Sequence, residues 1–176
     1  YWAGGPGVAI LDHERYFFEA ADFNAYFTRL YRQALSDLDF VSRNGSNHHK
    51  AIAEITSVMI YQTLVDLFGD IPYSEALKGS GNVTPKYDKG LDIYKDLLRQ
   101  IDTGIALIKD ADVSSSGPNK TIRTDDIMFG DKLFGTSNSE AAMKTRWAQF
   151  GNTLKLRLLV HLMNGGVGSN TAGTVG

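Results

Sequence analysis

Between residues 14 and 163 the apolar side chains recur at steps of three and four, with scarcely any alternating runs, which restricts the chain to helices packed on helices. The clearest case spans 91 to 109. Tyr94, Leu97, Leu98, Ile101, Ile105 and Ile108 line one side, and Asp92, Lys95, Asp96, Arg99 and Asp102 line the other, predicting a helix with a wet outer face. From 48 to 68, Ile52, Ile55, Met59, Leu64 and Phe68 form one stripe and Ala51, Val58, Tyr61 and Val65 a second, so that helix should be covered on two sides. Tyr16, Ala20, Phe23, Phe27, Leu30 and Ala34 predict a helix over about 14–35, broken near Asp22. Ser137, with Glu140 three residues on in capping-box spacing, announces a last helix that runs to about Met163 through Trp147, Phe150, Leu154, Leu158 and His161.

Turn formers punctuate these helices. "SRNGSN" at 42–47 ends one hairpin arm, with Asn47 placed to cap the next helix. Gly69 stands where a left-handed cap is wanted, and Pro72 forbids the helix from resuming. "DADVSSSGPNKT" at 110–121 reads as a surface loop. "NGGVGSNTAGTVG" at 164–176 reads as a flexible glycine-rich tail or a truncated continuation, leaving 1–163 as one helical region. The spacing W-x-x-F-G-x-x-L at Trp147, Phe150, Gly151 and Leu154 is close to the first helix of a tetratricopeptide repeat, although no clean 34-residue period runs through the chain. The expected fold is all-α: antiparallel helical hairpins in a degenerate tetratricopeptide-like superhelix.

With 176 residues the chain can bury a core unaided, and without cysteine it has neither disulfides nor a thiolate nucleophile. Eighteen basic and twenty acidic residues give a net charge of -2 with no basic stripe, which argues against nucleic acid as a partner. No uninterrupted apolar run reaches the ~18–20 residues that span a bilayer, and "YWAGGPGVAI" lacks the form of a signal peptide, so any export signal is expected to have been cut away.

Two carboxylate pairs invite a test for chemistry. Asp70 and Glu75 sit in "DIPYSEALKG", which reads as an exposed turn, whereas an acid–base pair needs burial to separate its two pKa values. Asp70 is expected to accept hydrogen bonds from turn amides while Ile71 and Tyr73 tuck against the hairpin. Asp125 and Asp126 lack calcium-loop spacing. His48 and His49 diverge by about 100° on a helix and read as a surface helix start, and His161 reads as a hydrogen-bonded core residue. "GSGN" at 79–82 matches no phosphate loop. No catalytic residue, cofactor or metal is therefore expected. Eight tyrosines, nine phenylalanines and two tryptophans leave rings to spare for a ligand. A sugar stacks its C–H face on an exposed flat ring beside groups that pair with hydroxyls, and Tyr1, Trp2 and Tyr87 are the candidates, with Tyr73 and Trp147 assigned to packing.

"QTLVDLFGDIPYSEALKG" (62–79), "TPKYDKGLDIYKDLLRQIDTGIALI" (84–108), "DIMFGD" (126–131) and "RWAQFGNTLKLRLLVHL" (146–162), in that order, resemble the amino-terminal part of the SusD/RagB family. The resemblance implies a surface-exposed outer-membrane lipoprotein of Gram-negative bacteria, held by a lipid anchor that this chain does not include. It implies non-catalytic binding of a glycan or other nutrient for a TonB-dependent, SusC-like transporter. Two features depart from the family pattern: "KLFGTSNSEAAMKTR" intervenes before Trp147, and a glycine-rich tail stands where further helices continue. The alternative reading is a helical-repeat scaffold that binds proteins through its concave side.

Overall fold

The computed structural model describes residues 19, 21–110, 126–130 and 139–164. Its α-helices are α1 (Asn24–Arg29), α2 (Ser36–Asn44), α3 (Asn47–Phe68), α4 (Gly90–Asp110) and α5 (Glu140–Asn164), with a π-helical stretch, Leu30–Leu35, joining α1 to α2. Strands β1 (Ile71–Pro72) and β2 (Tyr87–Asp88) pair antiparallel, Ile71 opposite Asp88 and Pro72 opposite Tyr87. The fold is all-α as expected; a ladder only two residues long leaves no alternating pattern to read.

The first helical arm extends beyond its expected end near Leu35, to Asn44. A π turn adds a residue to the 3.6-residue cycle, so the apolar residues beyond it leave the stripe that Phe27 and Leu30 define. Ser46, extended at φ -64° and ψ 169°, precedes α3 instead of Asn47, which is already helical, and its hydroxyl lies 2.7 Å from His49 Nδ1. At the start of α5 the Ala142 N–H donates to Ser139 Oγ at 3.2 Å. Ser139 thus takes the capping role assigned to Ser137, which falls outside the described residues, as do 111–125 and 165–176.

Successive helices run antiparallel. Phe27 meets Phe68 edge-on, while at the other end Ser42 Oγ donates to Glu54 at 2.8 Å, so α1–α2 and α3 are opposed. Tyr94 donates to Asp66 near the close of α3, whereas Gly104 lies against Ile55, reversing α4 on α3. Asp102 and Lys155 pair at 2.6 Å and Gly151 faces Ile105, reversing α5 on α4. Helix α3 is apolar enough over its length to pass for a membrane span, yet here it is an interior helix between α2 and α4, with Ala51, Ala53, Ile55, Val58, Tyr61, Leu64 and Val65 buried.

The opening of α3 is not a surface. His48 is only 2% exposed, and its Nε2 lies 3.7 Å from Glu140 because α5 begins over it. Burial, aided by nearby Lys144, holds the imidazole below its ordinary pKa of 6.5. Trp147 is buried between Phe129 and Phe150, and its Nε1–H donates to the buried Asp126 carboxylate at 2.7 Å. A Cβ on Gly151 would stand 2.7 Å from Ile105 Cγ1, so the absence of a side chain here admits the neighbouring helix α4.

Gly151→Val should therefore destabilise the fold by about 1–3 kcal/mol through overpacking, read as a lower denaturant midpoint at unchanged slope. Trp147→Ala should cost about 3–5 kcal/mol in the same measurement, and a loss near zero would remove the ring from the core.

Candidate functional site

The corner after α3 is built by glycine and then held by carboxylates. Gly69 adopts φ +75° and ψ -113°, a positive-φ cap outside the usual left-handed well, and its N–H donates to Val65 O at 2.8 Å. Lys89 Nζ and the Gly90 N–H donate to Asp70 at 2.6 and 3.0 Å. The amide that Asp70 satisfies thus belongs to the first residue of α4, twenty residues on, and Ile71 is fully buried beneath. Asp88 accepts from the Tyr73 N–H at 3.3 Å, the Ser74 N–H at 2.7 Å and the Ser74 hydroxyl at 3.1 Å. Glu75 accepts from Asn82 Nδ2 at 3.0 Å and the Lys86 N–H at 3.3 Å.

These partners set the charges. The Lys89 bond, then the Gly90 amide, hold Asp70 below the usual carboxylate range, and the Lys86 amide with Asn82 does the same to Glu75. For Asp88 burial pushes upward, but the bonds from Ser74 outweigh it and the net shift is down. Neither Asp70 nor Glu75 is poised as an acid, and each serves a different part of the turn.

That turn delivers Tyr73 to a cleft of about 390 Å³ between α3 and α4, lined by Glu54, Tyr61, Tyr73, Asp96, Arg99, Gln100 and Thr103. Tyr31, carried by the π stretch, donates to Pro72 O and stands edge-on to Tyr61, which is edge-on to Tyr73 with ring centroids 4.8 Å apart. The Tyr73 hydroxyl donates to Asp96 Oδ2 at 2.6 Å and lies 3.1 Å from Gln100 Oε1. Gln100 Nε2 donates to Glu54 Oε2 at 2.7 Å, and Arg99 grips Asp96 Oδ1 through Nε and Nη2 at 3.0 and 2.6 Å. Burial first, and then the bond to Asp96, push the Tyr73 phenol up, so it stays a neutral donor. Tyr73 therefore packs, as expected, and also walls a cleft. Asp96 and Arg99, expected on a wet helix face, thus line a cleft, together with Glu54 and Gln100, which carried no signal in the sequence.

The other candidates are dispersed. Tyr87 is 64% exposed on β2, beside the Asp88 that braces the corner. Tyr1, Trp2 and Asp125 lie outside the described residues. Asp126 accepts from Trp147 and from the Met128 and Phe129 amides at 2.8 and 3.0 Å, the bonding of a structural acceptor. His161 is hydrogen-bonded as expected, to Asp66 at 3.0 Å, but its side chain is 44% exposed and not in the core.

A family model for SusD-like proteins, described as starch-binding and associating with the outer membrane, matches residues 1–172. Among solved structures a chitin-binding protein is similar in fold, with a TM-score of 0.63 at 23% identity; the match covers 91% of this chain and 32% of that one, so this chain spans about a third of its length. No curated protein matches in sequence.

The braced corner has a pH signature. Carboxyls depressed in the folded state contribute stability that is present above their unfolded values, 3.8 for aspartate and 4.5 for glutamate, and lost as pH falls through the folded values. Asp88→Asn should therefore melt lower than the parent at pH 7, and the gap should narrow in thermal melts as pH falls below 4.

Proposed function

The chain belongs to the SusD-like family, and from that premise we propose that it binds a glycan without altering it, at the outer surface of a Gram-negative cell, for delivery to a TonB-dependent, SusC-like transporter. The observation that carries this reading is the family match over residues 1–172. Anchorage through a lipid on the full-length protein belongs to the same proposal. The chitin-binding protein of similar fold supports a glycan over another nutrient, and the ionised, hydrogen-bonded state of Asp70 and Glu75 supports binding over hydrolysis.

Tyr1, Trp2 and Tyr87 are the rings proposed to stack on sugar. Tyr87 presents an exposed face on a two-strand ladder that the corner carboxylates hold rigid, so stacking there costs little ordering entropy. A protein-binding scaffold is favoured by the exposed Leu156, Leu159, Val160 and Met163 spaced along α5.

Isothermal titration of the intact protein with maltoheptaose, chitotetraose and a peptide panel tests the reading. Binding to at least one oligosaccharide is expected, weakened about two- to tenfold by Tyr87→Ala at unchanged melting temperature. Silence toward both sugars, with no transporter co-purifying from membranes, would overturn it.

A further inference from the structure

One group in the α3–α4 cleft has no structural employment. Tyr61 lines the cleft beside Glu54, and its hydroxyl has no hydrogen-bond partner among the described residues. A hydroxyl that opens on a cleft without a protein partner is free to bond a ligand there. Arg99 presents the same kind of opening: Nε and Nη2 are committed to Asp96, while Nη1 has no partner among the described residues on a side chain 73% exposed. The Thr103 hydroxyl donates to Arg99 O at 3.1 Å and keeps its oxygen free to accept. Glu54 accepts from Ser42 on one oxygen and Gln100 on the other, and Asp96 from Arg99 and Tyr73, which leaves lone pairs on both carboxylates.

We propose that this cleft holds one neutral pyranose unit of the glycan through its hydroxyls, Tyr61 and Arg99 donating and Glu54, Asp96 and Thr103 accepting. The proposal rests on the glycan-binding reading and assigns a site to it. The chemistry selects against charged ligands. An anion would meet two carboxylates opposed by a single guanidinium, and a cation would find Asp96 already gripped by Arg99 and Glu54 already bonded on both oxygens. A sugar hydroxyl gives one hydrogen and accepts another, which is what alternating donors and acceptors require, and the Tyr73 ring supplies an apolar wall. A cleft of about 390 Å³ falls within the size range of small-molecule sites. Its walls are fixed in advance by the chain of bonds from Ser42 through Glu54, Gln100 and Tyr73 to Asp96 and Arg99.

Three variants of the intact protein, titrated with maltoheptaose and with chitotetraose, decide the matter. Tyr61→Phe removes only the unpartnered hydroxyl, so folding stability should be unchanged while affinity falls about two- to tenfold. Thr103→Phe, at an exposed helical position, fills the cleft and should reduce binding at least tenfold with no change in melting temperature. Arg99→Met should weaken binding as Tyr61→Phe does. Amide resonances of Gln100 and Thr103 should shift on titration. If the parent binds and Thr103→Phe binds equally well, the cleft assignment is overturned and the glycan reading stands; if the parent binds neither sugar, the cleft assignment falls, and the glycan reading falls with it when no transporter co-purifies.

Discussion

Everything in this molecule follows from the need to cover α3 on two sides. Its apolar residues occupy both flanks, so neither face can be left to water without exposing several fully buried side chains, and the chain must supply one helix before it and one after it. The arm of α1, the π stretch and α2 covers one flank and α4 the other; α5 then covers α4. Antiparallel order follows because each helix returns along its predecessor. Close approach is bought with glycine: a Cβ at Gly104 would stand 2.8 Å from Ile55, and at Gly151 2.7 Å from Ile105, so the α3–α4 and α4–α5 seams are each set by a missing side chain.

A helix buried on two sides transfers its difficulty to its end. After Phe68 the chain must leave the core, turn and deliver α4 in register, and the peptide groups of that corner lie outside any helix. Asp70, Glu75 and Asp88 supply the missing acceptors across eleven to twenty residues of sequence, and a two-residue ladder completes the work. The result is a rigid corner carrying an exposed tyrosine and aiming Tyr73 at the gap between α3 and α4. Tyr31 contributes from the other side, its hydroxyl on Pro72 O, and it sits in the π stretch. The departure from regular helix geometry and the shape of the corner are thus joined by one hydrogen bond.

The helices, their stops and the close approach at Gly151 were legible in the sequence because each rests on local chemistry: a 3.6-residue stripe, a positive-φ glycine, a proline that cannot continue, a small residue at a fixed offset. What was illegible depends on more than one element. The π stretch hid the extent of the first arm by shifting its stripe. His48 read as surface because nothing near it in sequence reveals that α5 starts above it. The cleft was invisible for a related reason: Asp96 and Arg99 carry the polarity of a solvated helix face, and only the arrival of Tyr73 from the corner turns that face into a wall. The acceptor role of Asp70 could be anticipated, but not that the amide it bonds would be twenty residues away.

The same carboxylates that make the corner rigid bear on what the molecule does. General acid–base catalysis by two carboxyls requires environments that push their pKa values apart, one of them upward. Asp70, Glu75 and Asp88 all move downward, each held as an anion by amides, a hydroxyl or a lysine. Upward shifts fall on the tyrosines, Tyr31, Tyr61, Tyr73 and Tyr94, for which burial leads and which it keeps as neutral phenols. Fixed anions that accept and neutral phenols that donate are suited to holding hydroxyls in place. They are poorly suited to moving protons at neutral pH, a property that fits the proposed capture of a sugar.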